Sequence, residues 1–224
     1  MQKFLVIQTA FIGDVVLATA LPEKLATFFP GAQIDFLVRK GNESLLQNNP
    51  YLHRVITWDK KEHKYRELFR LIKQIRKERY DKVINVQRFF STGLLTALSG
   101  APETIGFDKN PLSFLFKKRV KHVISTSPPW RHEIERNNDL ICSFTGDNPG
   151  RLQLYPSADD INSVSAYSTT PHITITPSSV WFTKKYPDDK WIDFINAVPP
   201  HLAIYLLGGK DNTAECEAIR ATAA

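Results

Sequence analysis

Apolar and polar residues alternate along the chain with two different periods. Short apolar runs, typical of buried strands, are separated by amphipathic stretches typical of helices. The strands predicted from the apolar runs are 3–8, 32–39, 54–58, 82–87, 103–107, 172–177 and 201–209. The helices predicted between and after them are 13–29, 41–49, 61–79, 91–100, 131–146, 188–198 and 212–223. Strands that alternate with helices indicate a largely parallel sheet and an α/β fold.

A polar, turn-rich segment at 148–160 separates two series of strand–helix units. We therefore predict two doubly wound domains, residues 1–155 and residues 156–224. The second contains only two strand–helix units, and its last helix ends without a cap. We expect it to be the first part of a domain whose remainder is missing.

The composition limits the class of protein. The chain has 224 residues, a formal net charge of +6 and two cysteines, Cys142 and Cys216. The basic excess favours anionic partners, but it does not distinguish nucleic acid from nucleotides or anionic lipid. Two distant cysteines are too few for a disulfide framework and suit a reducing compartment. No apolar run approaches the roughly 18–20 residues of a membrane span, and no signal-peptide pattern is present, so we predict a cytoplasmic protein, soluble or peripheral.

A glycine and an acid, Gly13 and Asp14, stand where the first strand passes into the first helix. Ligands of open α/β sheets bind at the carboxyl ends of the strands, so Asp14 is a candidate catalytic carboxylate. The alternative is that Gly13 permits a tight turn and that Asp14 only stabilises the helix N-terminus. The glycine patterns of dinucleotide-binding and P-loop proteins are absent. Spacing alone leaves both interpretations open.

The stretch TPSSVWFTKKYPDDKW, residues 176–191, is a second candidate site. Ser178, Ser179 and Thr183 precede Lys184, close to the start of a predicted helix. Hydroxyl groups, backbone N–H groups and a lysine together suit a phosphate or diphosphate. The alternative is a solvated loop.

Two groups of basic residues are further candidates. Lys60, Lys61 and Lys64 lie near the carboxyl end of the third strand, within reach of an anionic acceptor, although the glutamates among them indicate a salt-bridged, solvated helix face. His132 and Arg136 are four residues apart, and we predict that they share one helix face. Structural ion pairs are the alternative there. No histidine–cysteine cluster has zinc-site spacing, so we predict no metal.

The stretch PLSFLFKKRVKH, residues 111–122, mixes aromatic residues with lysines. Such a mixture is compatible with contact at a membrane surface. Core packing with a basic rim is the alternative.

Five stretches of the chain occur in the same order as in a known family. They are LVIQTAFIGDVVLATALP, YDKVINVQ, PLSFLFKKR, HEIERNNDL and TPSSVWFTKKYPDDKWIDFI. Over nearly its whole length the chain resembles the ADP-heptose:lipopolysaccharide heptosyltransferases, which are glycosyltransferases. The resemblance implies a GT-B fold, with two Rossmann-like domains that face each other across a cleft. Because family members are longer, it also implies that this 224-residue form is truncated and inactive.

The resemblance assigns roles to individual residues. The acid of the family's glycine–aspartate pair is catalytic, which maps to Asp14. The lysine ahead of the aromatic–proline pair contacts the donor diphosphate, which maps to Lys184. The hydroxyl positions ahead of that lysine map to Ser178, Ser179 and Thr183. The implied reaction is an inverting, metal-independent transfer of a heptose from a nucleotide diphosphate to a lipopolysaccharide core acceptor.

The implied partners are a nucleotide-sugar donor and an anionic, lipid-linked saccharide acceptor, with transient contact at the inner membrane surface. We expect no cofactor, no nucleic acid and a monomer. Two alternatives stay open. A nucleotide-sugar epimerase of the same fold would need no acceptor. A non-catalytic module that binds nucleotides or nucleic acid would suit the basic charge, although no nucleic-acid-binding motif is present.

Overall fold

The computed structural model describes residues 1–60, 62, 64–124, 127–179 and 181–223, and of Lys64 it describes the backbone alone. The chain divides into two compact units, Met1–Pro156 and Ser157–Ala224, which we call unit 1 and unit 2.

Unit 1 is built on a parallel sheet of six strands. The strands are β1 (Lys3–Ile7), β2 (Gln33–Arg39), β3 (Arg54–Trp58), β4 (Lys82–Asn85), β5 (Glu103–Phe107) and β6 (Lys118–Val120). The helices are α1 (Ile12–Ala18), α2 (Ala20–Phe28), α3 (Lys64–Glu78), α4 (Phe90–Ala97), α5 (Glu133–Asp139) and α6 (Cys142–Thr145). The strand order is β3-β2-β1-β4-β5-β6. This is the Rossmann order, in which the chain reverses direction across the sheet between β1 and β4 and leaves a crevice there.

Both faces of this sheet are covered by helices. Phe4 and Val6 of β1 point to the face covered by α1, α2, α5 and α6. Leu5 and Ile7 point to the opposite face, where α3 and α4 pack. All four side chains are 0% exposed. A strand buried on both faces is apolar at every position, which explains the continuous run FLVI.

Unit 2 is a smaller α/β arrangement. Its elements are α7 (Ala158–Val164), β7 (His172–Ile175), α8 (Asp188–Ala197), β8 (Ala203–Leu206) and α9 (Thr213–Thr222). The two strands are parallel and pair His172 with Ala203 through Ile175 with Leu206. A groove of about 850 Å³ opens within this unit, lined by residues of β7, β8, α8 and α9 and of the segment before β7.

The predicted α/β fold is confirmed, with differences at several elements. The single helix predicted over 13–29 is two helices that meet at Thr19. Pro22 has no N–H to donate to the carbonyl of Ala18, so a continuous helix would lose that bond and clash at this point. The chain instead makes a tight turn, in which the Thr19 hydroxyl donates to the carbonyl of Val16 at 2.7 Å.

Two other predicted helices are also shorter or divided. The helix predicted over 131–146 breaks after α5, where Leu140 and Ile141 donate to carbonyls three residues back. The tighter turn buries both of these consecutive apolar residues, at 0% exposure each. The helix predicted over 41–49 is a single 3₁₀ turn, Glu43–Leu45. Strand β6 was not predicted, because KRV is short, basic and only partly buried.

Candidate active site

Asp14 lies in the first turn of α1, directly after the carboxyl end of β1. Its Oδ2 accepts a hydrogen bond from the backbone N–H of Phe11 at 3.1 Å, so the helix-capping interaction that the sequence allows is present. Its Oδ1 has no hydrogen-bond partner among the described residues. The side chain is partly exposed. One oxygen therefore holds the loop, and the other stays available to accept a proton.

The prediction that Gly13 permits a tight turn is wrong. Gly13 is the second residue of α1 and does not have a positive φ. A Cβ placed there would meet nothing within 4 Å. The glycine is therefore not required by the backbone, and it leaves open space above the helix turn that contains Asp14.

Lys60 contacts the loop that precedes Asp14. Its Nζ donates to the carbonyl oxygen of Thr9 at 2.9 Å and to the Thr9 hydroxyl at 2.7 Å. The same ammonium lies 4.8 Å from the ring centroid of buried Trp58, a cation–π contact. The structure thus brings Lys60, which follows β3, to the loop that follows β1.

Gln87 completes this polar group and was not singled out from the sequence. The Thr9 hydroxyl donates to Gln87 Oε1 at 2.5 Å, which joins the ends of β1 and β4 across the Rossmann crevice. The side-chain nitrogens of Gln87 and Asn85 are buried and have no hydrogen-bond partner among the described residues. Their position in KVINVQ, where a strand turns polar at its carboxyl end, was the signal available in the sequence.

The other two predicted acceptor lysines are only partly described. Lys61 lies outside the described residues, and Lys64 is the first residue of α3, with only its backbone described.

His132 and Arg136 do not share a helix face as predicted. His132 precedes α5 as its N-cap, and its Nδ1 accepts from the backbone N–H of Ile134 at 3.2 Å. Arg136 donates to the carbonyl of Arg131 at 2.8 Å and lies 3.5 Å from the carboxylate of Glu133. The helix begins at Glu133, two residues later than the pattern suggested, and His132 stands outside it because its side chain accepts from the second helical N–H.

In unit 2, Lys184 and its neighbour Lys185 have different environments. Lys184 ends a 3₁₀ turn, Phe182–Lys184, is exposed, and makes no side-chain hydrogen bond or ion pair within the described ranges. Lys185 is bound by Asp188 at 3.0 Å and by Glu215 at 2.5 Å. The hydrogen bonds with these two carboxylates raise the pKa of Lys185. Of the two lysines, Lys184 is the one available to an anionic ligand.

The predicted hydroxyl residues differ in the same way. Ser178 donates to Glu215 at 2.5 Å, and Ser179 Oγ accepts from the backbone N–H of Trp181 at 3.2 Å. Thr183 is exposed beside Lys184. Hydrogen bonds from Lys185 and then Ser178 hold the pKa of Glu215 below its usual value. Glu215, on α9, joins this loop to the helix and was not identified from the sequence.

Within the described ranges, no group of three or more histidine, cysteine and acidic side chains could hold a metal ion. No helix in the same ranges is both long and apolar enough to cross a membrane. The groove of unit 2 is lined by none of the residues predicted to bind the donor.

The fold and the acid after β1 define a Rossmann-like α/β protein with a candidate site at the carboxyl edge of its sheet. The sequence model of glycosyltransferase family 9 (heptosyltransferase) matches residues 68–224, more than half of the chain. The chain belongs to this family, which confirms the resemblance identified from its motifs.

Two curated relatives agree with this assignment. The chain is 25% identical over 203 residues to lipopolysaccharide heptosyltransferase 1 of Pseudomonas aeruginosa, an alignment that covers 84% of the chain and 56% of the relative. It is 28% identical over 119 residues to lipopolysaccharide heptosyltransferase 3 of Escherichia coli, which covers 51% of the chain and 35% of the relative. The chain thus spans about half the length of the first of these relatives and about a third of the second.

Solved structures show the same fold. A family 9 glycosyltransferase of Veillonella parvula matches 97% of the chain and 66% of its own, with a TM-score of 0.81 and 18% identity. The E. coli ADP-heptose heptosyltransferase II matches 98% of the chain and 68% of its own, with a TM-score of 0.77 and 21% identity. The GT-B fold predicted from the motifs is therefore confirmed, and the chain is shorter than these proteins.

Proposed function

We propose that this chain contains the acceptor-side domain, residues 1–155, and the first part of the nucleotide-sugar domain, residues 156–224, of an inverting heptosyltransferase. The donor is a nucleotide diphosphate heptose, and the acceptor is a lipopolysaccharide core saccharide. The observation that supports this most directly is Asp14, a family motif residue whose Oδ1 has no partner among the described residues. The similar E. coli heptosyltransferase WaaC, solved with ADP-2-deoxy-2-fluoro heptose, supports the choice of donor.

In the proposed reaction, Asp14 removes the proton from an acceptor hydroxyl. The acceptor oxygen forms a bond to the anomeric carbon, and the bond from that carbon to the diphosphate oxygen breaks on the opposite face, which inverts the configuration. The Oδ1 atom is suited to the proton because Oδ2 is already bound to the Phe11 N–H. A positioned carboxylate base contributes about 10²–10⁴-fold to such a step.

Negative charge develops on the leaving diphosphate, and we assign its stabilisation to Lys184 and Thr183. A positively charged donor placed where charge develops lowers the barrier of the transfer. In this scheme lysine supplies the positive charge, so the reaction needs neither a metal ion nor a cofactor. Ser178 and Ser179 support the loop through Glu215 and Trp181.

We assign the anionic acceptor to the carboxyl edge of unit 1. Lys60 contributes positive charge beside the loop of Asp14, and Lys61 and Lys64 follow it in the chain. Gly13 leaves room for a saccharide to approach the first turn of α1, since a Cβ there has open space around it. We assign His132 and Arg136 to the support of α5, because their side chains are used in its cap and its ion pair.

The base assignment is tested by Asp14→Asn in the natural protein that contains this sequence. Asparagine keeps an oxygen for the Phe11 N–H but does not accept the proton. Transfer to a purified core acceptor should fall about 10²–10⁴-fold, while the affinity for ADP-heptose is unchanged. Asp159→Asn, an exposed acid in the first turn of α7, is the matched control. Transfer by Asp14→Asn at the unchanged rate would remove Asp14 as the base.

The donor assignment is tested with ADP and the natural protein that contains this sequence, in a calorimetric titration. Lys184→Ala should weaken binding about tenfold, since it removes a charge-assisted contact to phosphate. Lys190→Ala, an exposed lysine of α8 paired with Asp193, should leave the affinity unchanged. Equal affinities for the two variants would contradict the role of Lys184.

The alternatives predict different results. An epimerase would convert ADP-heptose with no acceptor present. A nucleic-acid-binding module would bind DNA with a steep dependence on salt. Neither result is expected from the proposed transferase.

A further inference from the structure

Six large apolar side chains are exposed along one edge of unit 1, and the proposed reaction uses none of them. They are 50–71% exposed and comprise Tyr65, Phe69, Phe89, Phe90, Phe114 and Leu115. We call this set the aromatic rim. Exposed apolar residues that occur singly need no explanation, whereas a group of them at one place indicates an interaction surface.

The topology places all six at the same edge. Tyr65 and Phe69 lie in the first two turns of α3, which follows β3. Phe89 and Phe90 begin α4, which follows β4, and Phe114 and Leu115 follow β5. The strands are parallel, so their carboxyl ends meet at one edge of the sheet. Helices α3 and α4 also cover the same face, where they share one apolar cluster.

The loop that presents Phe114 and Leu115 is held by buried contacts. Asn110, 2% exposed, donates from Nδ2 to the carbonyls of Gln87 and Phe89, both at 3.1 Å. Phe116 is buried against Gly106, where a Cβ would come within 2.6 Å of its ring. These contacts fix the loop while its two apolar side chains are exposed, so this part of the rim is preformed.

Exposed cations lie near several segments of the rim. Between residues 104 and 124 there is one acid, Asp108, and it accepts from the backbone N–H of His122 at 2.9 Å. In the same stretch Lys109 follows β5 and Lys121 follows β6, so both lie at the carboxyl edge, and both are exposed. On α3, Glu67 is bound to Arg70 at 2.7 Å, while Arg66 and Lys73 are exposed.

We infer that the aromatic rim is a docking surface for an anionic lipid bilayer. Aromatic side chains lower their free energy by entering the boundary between headgroups and acyl chains, and surrounding lysines and arginines are attracted to anionic headgroups. Duplex nucleic acid would use the cations, through its phosphates, but not the six exposed apolar side chains. A second copy of the chain would place two positively charged rims against each other, which like-charge repulsion disfavours.

This inference does not depend on the proposed transfer. If the transfer is also correct, the two fit together, because Asp14 follows β1 at the same carboxyl edge. Docking at the rim would then bring the base to the surface in which a lipid-linked acceptor is anchored.

The test is co-sedimentation of the 224-residue chain with lipid vesicles. We expect binding to vesicles of equal parts phosphatidylcholine and phosphatidylglycerol, and little binding to phosphatidylcholine alone. The double variant Phe89→Ser/Phe114→Ser should lower the partition coefficient at least about tenfold, since two aromatic anchors are lost. Phe28→Ser is the matched control, because Phe28 is 51% exposed at the end of α2, on the opposite edge of unit 1.

Charge reversal provides a second, independent measurement. Lys109→Glu/Lys121→Glu should lower the partition coefficient about tenfold or more and reduce its salt dependence. Lys77→Glu/Arg79→Glu makes the same change in net charge at the far end of α3, on the opposite edge of unit 1, and should have a much smaller effect. Thermal unfolding of each variant verifies that the fold is intact, and the charge variants test the rim even if the serine variants unfold.

Three results would overturn the inference. They are no binding to anionic vesicles, equal losses in rim and control variants, and a concentration-dependent dimer without lipid that only the rim variants abolish. The last result would assign the rim to self-association. Loss of transfer by Asp14→Asn together with normal vesicle binding would separate the two proposals.

Discussion

The two units share one strand–helix pattern, but the strands of unit 1 are more deeply buried than those of unit 2. In unit 1, Phe4 through Ile7 of β1 are all 0% exposed, with strands on both sides and helices on both faces. In unit 2, every residue of β8 is only partly buried, and of β7 Ile175 alone is buried. A groove of about 850 Å³ lies among its strands and helices. An apolar run becomes a buried core only where neighbours are present on both edges and both faces.

The largest expected effect comes from the buried ionic group of unit 1. Asp35, 0% exposed, binds Arg54 at 2.7 Å, His53 at 2.9 Å and the hydroxyl of Tyr80. Asp35→Ala should lower the free energy of unfolding by about 3–5 kcal/mol, because the buried Tyr80 hydroxyl and the partly exposed Arg54 guanidinium both lose their carboxylate acceptor. Urea unfolding followed by far-ultraviolet circular dichroism would measure it. Asp193→Ala, an exposed acid of unit 2, should leave the transition unchanged, and equal effects would contradict the comparison.

A matched pair of strand substitutions compares the two units directly. Leu37 of β2 is 0% exposed, and Ile204 of β8 is only partly buried. Leu37→Ala should cost about 2–5 kcal/mol, because it removes packed methyl groups and leaves a cavity. Ile204→Ala should cost clearly less. Hydrogen exchange of the β2 and β8 amides would measure each change locally. A larger loss of protection in β8 would show that the strands of unit 2 are better packed than their exposure indicates.

Replacing either of two glycines of unit 1 by alanine should change the stability of the protein, in opposite directions. At Gly106 a Cβ would lie 2.6 Å from the Phe116 ring, whereas at Gly13 it would meet nothing within 4 Å. Gly106→Ala should destabilise the protein by about 1–3 kcal/mol through overpacking. Gly13→Ala should stabilise it by about 0.5–1 kcal/mol, because alanine loses less conformational entropy in a helix. Thermal unfolding compares them, and a destabilising Gly13→Ala would restore a backbone requirement at that site.

The smallest expected effect is a pH dependence confined to unit 1. Burial, followed by the contact with Asp35, raises the pKa of Tyr80 far above its usual value. The folded state therefore favours the neutral phenol. The contribution of Tyr80 to the free energy of unfolding is complete below about pH 10. As the pH rises further, this contribution is lost by up to about 1.4 kcal/mol per pH unit. Tyr80→Phe should reduce the decline of the free energy of unfolding between pH 9 and 11. Tyr205→Phe, in unit 2, should retain the decline.

Much of the fold was predictable because buried parallel strands are apolar at every position. The prediction for β3, 54–58, has the same bounds as the observed strand. The break at Thr19 was missed because the prediction followed apolar spacing past Pro22. Strand β6 was missed because its pairing with β5, and not its own composition, places it in the sheet.

The candidate site was predictable only in part. Asp14 and Lys184 were singled out because each belongs to a local motif that follows a strand, and their roles stay predictions. The network of Thr9, Gln87 and Lys60 was not singled out, because Thr9 is 78 residues from Gln87 and 51 from Lys60. Gly13 was misinterpreted, since a glycine next to a turn does not reveal its own φ.

The sequence by itself determined the strand–helix alternation, the basic charge and the motifs of the family, because these depend on residues close together in the chain. Only the tertiary structure decided that Lys184 is available while Lys185 is bound to Glu215, and that His132 caps a helix. It also decided that apolar residues from three separate segments meet at one edge. These outcomes depend on which residues, distant in the sequence, meet the same donors, acceptors and buried surface. Local spacing does not determine those contacts.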